Sequence, residues 1–312
     1  MLGLGGAMHM EDGIVQSATP TISLFDVPNL IGWWDFGDQA TMYTATSLGG
    51  INPTNNVDFR SITNKSSHSD RLGSFLQGSG TSISGYNASY QENASGNYAR
   101  FNPAESTTSP FDYSALKRNS YEEGVASSGV VSSANIDLQN FSFFAVLQVE
   151  AVDPGNNNRT LFYLNGQDVD GSTTQLNVAH ERNSPNDLFV SIFMADEPSP
   201  SNRVDSIEVG EEALTSKHLL SFNSGTGTNA AKSYINGVEK SQATIDGDDV
   251  LTLDNNYSAV MIGNRTNASA IPSGPTSHFR GNIWEVIFYN QSLTSEQLTF
   301  VHNILMEKHG LT

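Results

Sequence analysis

Short runs of aromatic and β-branched residues, each ending at a turn signal, recur along the sequence from residue 30 to residue 289. The run at 141–149 is the strongest, and an Asp-Pro-Gly-Asn turn follows it at 153–156. Asn-Gly pairs close two further runs, at 165–166 and 236–237, and favour tight hairpins because both residues tolerate positive φ. Short strands joined by turn-rich loops indicate an all-β antiparallel sandwich, or jelly roll, rather than βαβ units. We predict strands at 31–36, 141–149, 160–164, 188–194, 218–222, 232–235, 259–263 and 283–289.

The run at 283–289 is apolar on nearly both faces, which places it in the middle of a layered structure. Strict alternation would put Glu285 on the same face as Ile283, Ile287 and Tyr289. We interpret Glu285 as a buried carboxylate that accepts hydrogen bonds from loop amides. A catalytic role for this carboxylate is the alternative.

One α-helix is predicted after this strand. Thr294 and Gln297 fit a capping box, in which each side chain bonds the other's backbone N–H. Leu298, Val301 and Leu305 recur at helical spacing, and Gly310 supplies a C-terminal stop. We expect the apolar stripe of this helix to lie on the sandwich.

Residues 1–27 differ from the rest, because glycines interrupt their apolar pieces and no strand or helix period persists. We predict an extended N-terminal arm over 1–27 that packs against another subunit during assembly, and a jelly-roll domain over 28–312. Residues 52–123 are the least periodic part of that domain, which indicates long loops with short strands. One of the adjacent Trp33 and Trp34 must face out of the core, since strand neighbours alternate, and it could meet the arm or a neighbouring subunit.

Composition excludes several classes of protein. The formal net charge is −18, which rules out a nucleic-acid binder with a broad basic surface and disfavours docking on anionic lipid. Cysteine is absent, so disulfides, thiolate metal sites and a cysteine nucleophile are impossible. The N-terminus lacks the basic head and apolar run of a secretory signal, and no stretch approaches the roughly 20 apolar residues of a membrane span. We therefore expect a soluble chain that stays in the cytoplasm or leaves the cell within an assembly.

The segment 279–297 and the helix after it resemble the closing strand and helix of concanavalin-A-like, laminin-G-like jelly-roll domains. Residues 31–38 are similar to the opening strand of that family, and Asn64-Lys65-Ser66 is similar to its Asp-Lys-Ser turn. The runs at 141–149, 232–238 and 260–264 resemble later strands, so the likeness spans about 28–312. The resemblance implies the fold but not the function, because the family includes glycan hydrolases, lyases, lectins and interaction modules, some of them in tailed-phage virion proteins.

The sequence lacks the spacing that family glycosidases require. In those enzymes the two carboxylates lie on one face of one strand, in a Glu-x-Asp-x-x-Glu or Glu-x-Asp-x-Glu spacing that does not occur here. Glu150 with Asp153, and Asp205 with Glu208, have opposite parity, and no Gly-x-Ser-x-Gly elbow occurs. We therefore expect no enzyme activity, no catalytic residues and no cofactor.

Metal and ligand signals are weak. Related domains often hold calcium on loop oxygens, so the clusters at 168–171 and 246–249 are candidate calcium sites, although neither fits an EF-hand loop. His302 and His309 are expected at the surface or at a helix cap, because no third ligand accompanies them. The tyrosines of the loop-rich region could stack on sugars, line an interface or pack locally: Tyr86, Tyr90, Tyr98, Tyr113 and Tyr121.

Three function classes remain open. The favoured prediction is a structural or decoration protein of a virion, located in the virion, anchored to capsid or tail proteins by residues 1–27 and prone to self-association. The alternative is a glycan-binding lectin or receptor-binding module that recognises host surface glycan. A carbohydrate-active enzyme with an unfamiliar site is the third.

Overall fold

The structure is a computed structural model, and it describes a little more than half of the chain, including the whole C-terminal helix. The described residues are 23–45, 48–67, 72, 75–76, 88–94, 96–101, 116–118, 136–137, 140–149, 159–167, 173–180, 188–195, 207–208, 216–225, 227–245, 252–253, 257–263 and 279–312.

Two antiparallel sheets form the body of the described chain. The strands are β1 Leu30–Asp35, β2 Met42–Tyr43, β3 Val57–Phe59, β4 Ser61–Ile62, β5 Phe75–Leu76, β6 Ala88–Gln91, β7 Tyr98–Phe101, β8 Leu116–Arg118, β9 Ile136–Asp137, β10 Ser142–Val149, β11 Arg159–Gln167, β12 Thr173–His180, β13 Leu188–Ala195, β14 Ile207–Glu208, β15 His218–Asn223, β16 Gly227–Ile235, β17 Val238–Ile245, β18 Thr252–Leu253, β19 Tyr257–Ile262 and β20 Gly281–Tyr289. The α-helix α1 is Ser295–His309, and short 3-10 helices lie at Leu24–Asp26 and Gln39–Thr41.

The sheet next to α1, which we call the helix-side sheet, has the order β17-β16-β15-β10-β20-β7-β6-β3, and β1 also pairs with β20. The other, the far sheet, has the order β14-β13-β12-β11-β19-β8-β5-β4-β2. A short pair, β18-β9, completes the described strands. The predicted all-β antiparallel sandwich with one C-terminal helix is confirmed.

Aromatic side chains fill the space between the sheets. Phe143 of β10 meets Phe162 of β11 with ring centroids 5.2 Å apart, and Phe162 stacks on Phe288 of β20 at 5.9 Å. Trp34 and Phe36 are fully buried in the same core. This core holds the two sheets together.

A second core lies between the outer face of the helix-side sheet and α1. Leu298, Val301 and Leu305 of the helix pack there against strand residues that include Phe144 and Ile287. β20 is therefore covered on both faces, as its apolar sequence predicts. The capping box of Thr294 and the left-handed conformation of Gly310, with φ 62°, are also confirmed.

A β-bulge at Trp284 interrupts the alternation of β20. Opposite β10, Glu285 pairs with Val146 and Ile283 pairs with Leu147, so Trp284 has no residue opposite it there. Trp284 and Glu285 both face α1, while Ile283 faces the core between the sheets. The predicted grouping of Glu285 with Ile283 is wrong, because the extra residue reverses the alternation after it.

The two Asn-Gly signals have different outcomes. Asn236 and Gly237 form the predicted hairpin between β16 and β17, with φ of 49° and 74°. Asn165 and Gly166 lie inside β11, which runs on to residue 167, so the turn predicted there is wrong. Two long strands, β12 and β17, are absent from the predicted set.

The described end of the arm packs on the sandwich. Leu24 and Val27 are each 4% exposed and belong to the core under α1, and the Phe25 ring meets the Trp33 ring edge-on at 4.9 Å. Trp33 faces outward and Trp34 inward, as alternation predicts. The arm prediction for residues 1–22 lies outside the described residues. No helix among the described residues is long and apolar enough to cross a membrane.

Candidate functional site

Glu285 is the most deeply buried charged side chain near α1, with 1% exposure. Its Oε1 accepts a hydrogen bond from the Trp33 indole at 2.5 Å. Its Oε2 accepts from Lys308 Nζ at 2.8 Å and lies 2.7 Å from His309 Nε2. The bulge at Trp284 is what turns this carboxylate toward the helix end. The partners are side chains of β1 and α1, not the loop amides that the sequence predicts.

Asp35 lies opposite Glu285 across the β1–β20 ladder and shares a lysine with it. Its Oδ2 accepts from Lys308 Nζ at 2.9 Å and from Lys65 Nζ at 3.1 Å, and its Oδ1 accepts from the Gly37 N–H. Burial raises the pKa of Asp35, but the charges of Lys308 and Lys65 outweigh burial and hold the pKa below its usual value. Lys65 Nζ also lies 3.0 Å from Asp38 Oδ2. We call these residues the carboxylate cluster: Asp35, Asp38, Lys65, Glu285, Lys308 and His309.

The carboxylate cluster has the chemistry of a structural ion-pair network. Burial alone would lower the pKa of Lys308. The negative charges of Glu285 and Asp35 outweigh burial, so the pKa of Lys308 is raised above its usual value and the ammonium stays charged. A glycosidase needs one carboxyl group that keeps its proton and one that attacks or activates water. Here the oxygens of both buried carboxylates already hold cations or N–H donors. The cluster ties the end of α1 to β1.

Asn64 binds the loop after β4 to the edge of β1 that faces away from β20. Its Oδ1 accepts from the Trp33 and Ser66 N–H groups at 2.9 Å each, and its Nδ2 donates to the carbonyls of Ile31, at 2.9 Å, and Leu72. Backbone bonds from Leu72 to Ile31 and from Lys65 to Trp33 continue the pairing. The motif is similar to Asp-Lys-Ser, but only an amide can make the two donations.

A second constellation lies on the outer face of the helix-side sheet, beyond the part that α1 covers. Five polar side chains stand directly opposite one another on five neighbouring strands: Asp58 of β3, Ser89 of β6, Arg100 of β7, Asn282 of β20 and Gln148 of β10. We call them the polar row. Their strand neighbours Phe59, Ala88, Tyr90, Ala99, Phe101, Ile283, Leu147 and Val149 are buried. Alternation therefore directs the row away from the far sheet.

Hydrogen bonds order part of the polar row. Asn282 Nδ2 donates to Gln148 Oε1 at 3.0 Å, and Gln91 Nε2 donates to Ser89 Oγ at 2.9 Å. Within the described part of the chain, the Asn282 carbonyl oxygen is buried with no hydrogen-bond partner. A buried polar group without a partner is costly, so such a group marks a position where a ligand or water can complete the bonding.

An aromatic pair borders the polar row. The Tyr98 and Trp284 rings are 4.9 Å apart and inclined at 41°, and Lys217 Nζ lies 5.0 Å from the Trp284 ring centroid. Burial lowers the pKa of Lys217. Trp284 is only 4% exposed, and its indole N–H has no partner within the described ranges. Tyr98 is half-buried and is the ring that a ligand can reach, with Trp284 supporting it from below.

The structure brings few of the predicted site residues together. Tyr98 joins the aromatic pair, whereas Tyr90 is buried in the core and its hydroxyl accepts from Asn97. Tyr86, Tyr113 and Tyr121 lie outside the described residues, as do the calcium candidates at 168–171 and 246–249. In the parts of the chain that are described, no group of three or more His, Cys, Asp or Glu residues could hold a metal ion.

Neither helix histidine is at the surface, so that part of the prediction is wrong, whereas His309, the last residue of α1, lies next to the C-cap as the other part allows. His302 is 5% exposed, bonds the Ser221 hydroxyl at 2.7 Å and lies between the rings of Phe144 and Tyr234. Burial lowers the pKa of His302 to about 4. His309 is 9% exposed beside Glu285. Both project from the buried side of α1, which hides them.

The polar row has no counterpart among the sequence predictions. Each member alternates with core residues along its own strand, and that alternation is visible in the sequence. Their side-by-side placement depends on the pairing of five strands that are scattered between residues 57 and 289. Strand order and register, which the sequence does not reveal, are what assemble them.

No protein-family model matches the sequence, and comparison with curated proteins gives no match. Among solved structures, the chain is similar to the CBM40 of Ruminococcus gnavus IT-sialidase bound to alpha2,3 sialyllactose, at 10% identity and TM-score 0.39, over 55% of this chain and 92% of that one. It is similar to the heptameric SAP-like pentraxin of Limulus polyphemus at 13% identity and TM-score 0.37, over 54% of this chain and 72% of that one. It is also similar to the binding domain of Paraclostridial Mosquitocidal Protein 1, at 12% identity and TM-score 0.44, over 80% of this chain and 52% of that one. Likenesses at these levels identify neither a family nor a ligand, and the sandwich assignment rests on the strand pairing described above.

Proposed function

We propose that this chain is a non-catalytic, glycan-binding module displayed on a virion. The polar row beside the half-exposed Tyr98 ring is the observation that carries this proposal. A sugar ring offers an apolar C–H face, which packs on an aromatic ring, and hydroxyl groups, which pair with amides, carboxylates and guanidinium groups. The row and the aromatic pair supply both kinds of contact on one face of the helix-side sheet.

The absence of catalysis is part of the proposal. Glycoside hydrolysis by two carboxylates needs an acid whose pKa is raised by its surroundings. The two lysines beside Asp35 lower its pKa instead, and Glu285 is held by Lys308. The polar row contributes a single carboxylate, Asp58, so it lacks the second group that this chemistry requires.

Display on a virion is proposed from the sequence. The segment 279–297 resembles jelly-roll domains that occur in tailed-phage virion proteins, and residues 1–27 suit an anchor to a capsid or tail protein. Self-association and contacts with other virion proteins follow from this placement, and the function needs no cofactor. Host surface glycan would then be the ligand of the displayed face.

The glycan proposal is tested by applying the full chain to a glycan array and repeating the experiment with Tyr98→Ala. We expect discrete hits that soluble glycan competes away, and about a tenfold loss of affinity in the variant, which corresponds to about 1.4 kcal/mol. Tyr43→Ala, a half-buried tyrosine on the far sheet, is the matched control and should bind normally. An array without hits, or equal loss in both variants, contradicts the proposal.

The anchor proposal is tested by truncation. Removal should stop at residue 22, because Leu24 and Val27 are part of the core under α1. The shortened chain is expected to melt at the same temperature as the full chain but to fail to join phage particles during assembly. A truncated chain that is incorporated normally would refute the anchor.

A further inference from the structure

The direction of the polar row limits the shape of its ligand. Its five members follow the strand-pairing direction, from β3 at the edge of the sheet to β10 in its middle. Neighbouring paired strands are about 4.8 Å apart, so the four steps of the row span about 19 Å. A single sugar ring is much smaller than this span, whereas a linear oligosaccharide of several rings can follow it.

The chemistry along the row changes from one strand to the next. A carboxylate at Asp58 is followed by the hydroxyl of Ser89, the guanidinium of Arg100 and the amides of Asn282 and Gln148. The row therefore offers an acceptor at Asp58, a donor at Arg100 and groups that both donate and accept at its other three positions, about one strand apart. Repeated hydroxyl groups along a sugar chain, each both a donor and an acceptor, match such a sequence of partners.

The charges near the row favour an uncharged chain. Within the row, the negative charge of Asp58 balances the positive charge of Arg100. Among the described residues, Lys217 lies against the Trp284 ring beyond the end of the row, and Arg280 directly precedes β20, two residues from Asn282. The whole protein carries a formal charge of −18, which repels a polyanion at long range. A polymer with one acid per repeat would meet this repulsion, and the row itself offers its acids one cation, Arg100.

We propose that the ligand is a neutral, linear polysaccharide whose chain lies along the polar row, across the strands, with one sugar ring stacked on Tyr98. This inference rests on the proposed glycan-binding function and specifies its ligand. Asp58, at the sheet edge, contacts only chains long enough to reach it. Tyr98, on β7 in the middle of the row and two strands from Asp58, contacts short and long chains alike.

The test is calorimetric titration of the full protein with neutral oligosaccharides of one to seven units, from cellulose, starch and laminarin, and with oligogalacturonides as an acidic series. We expect at least one neutral series to bind, with affinity that rises at least tenfold between two and six units and then levels off. Asp58→Ala is expected to weaken binding of the six-unit chain about tenfold and to leave the two-unit chain unchanged. Tyr98→Ala is expected to weaken both.

The outcomes separate the two proposals. Equal affinity for short and long chains, or an Asp58→Ala effect that is the same at every length, overturns the extended placement while leaving glycan binding intact. Binding of the acidic series alone overturns the neutral class. If no carbohydrate binds here or on the glycan array, the proposed function itself fails. Asp58 is exposed, so its substitution should leave the fold intact, which a melting curve checks.

Discussion

The outer face of the helix-side sheet has two halves with the same backbone and opposite chemistry. Under α1 the outward side chains are apolar or aromatic, as at Phe144 and Ile287, and the helix seals them from water. Beyond the helix the outward side chains are those of the polar row, and the described chain leaves most of them half-exposed. Side chains alternate along the strands in the same way in both halves. The type of the outward residues therefore decides that one half stabilises the fold and the other can bind a ligand.

The residue at the border of the two halves should have the largest effect on stability. Trp284 packs into the core under α1 and supports Tyr98. Trp284→Ala is expected to lower the free energy of unfolding by about 3–5 kcal/mol, because it leaves a cavity that its neighbours cannot fill. Denaturant unfolding measures the loss, and Trp284→Phe should recover most of it. An unchanged unfolding midpoint in the alanine variant would show that the border is not packed as described.

Acid should weaken the covered half through His302. Its pKa falls from 6.5 to about 4 in the folded protein because it is buried. Between these pH values the unfolded chain binds a proton that the folded chain does not, so stability is complete above pH 6.5 and declines as the pH falls. The loss should reach about 3 kcal/mol near pH 4.

Melting curves from pH 7 to pH 4 test this dependence, with His302→Gln as the comparison. Glutamine keeps a partner for Ser221 and cannot titrate, so its curve should be flatter over this range. The depressed pKa of Asp35 adds its own loss only at still lower pH, below the usual aspartate value of 3.8. Equal slopes in the two proteins would mean that other groups control acid stability.

The carboxylate cluster should contribute a smaller amount. Glu285→Gln removes the negative charge that faces Lys308 and His309 and keeps the shape of the side chain. We expect a loss of about 2 kcal/mol at pH 7, the usual cost of weakening hydrogen bonds to a buried charged group. Glu239→Gln, in the exposed pair with Lys232, is the control and should show no measurable change.

Substitution in the uncovered half should change the stability of the protein least. Asp58→Ala changes an exposed side chain at the sheet edge, and the free energy of unfolding is expected to move by less than about 0.5 kcal/mol. Chemical denaturation at pH 7 measures it alongside the Trp284 variants. A loss comparable to that of Trp284→Ala would erase the contrast between the two halves, because it would make the polar row part of the structural core.

Signals confined to one element could be read from the sequence. The strand at Ser142–Val149 and the helix from Ser295 to His309 fall almost where the sequence predicts them, since their hydrophobic patterns and caps are local. The Asn165-Gly166 pair misleads because pairing of β11 with β12 and β19 keeps it extended. Tertiary pairing overrides a turn preference of this size.

The bulge and the candidate site could not be predicted from the sequence, because both depend on how strands pair with one another. Nothing within 281–289 marks Trp284 as the extra residue, since only the β10 partner shows the skipped position. The polar row likewise exists only once β3, β6, β7, β20 and β10 are placed in register. Chain-wide register, set by the packing of whole sheets, is therefore what separates the predictable from the unpredictable part of this protein.

The attachment of the Asn64 loop along β1 has a consequence for how copies of this protein can meet. A strand with free N–H and C=O groups on its outer side invites another chain to extend the sheet, which is a route to aggregation. On β1 the amide of Asn64 and the backbone of Lys65 and Leu72 already occupy those groups. Strand-to-strand growth from β1 is thereby blocked, and dense packing of many copies can proceed without this strand seeding fibres.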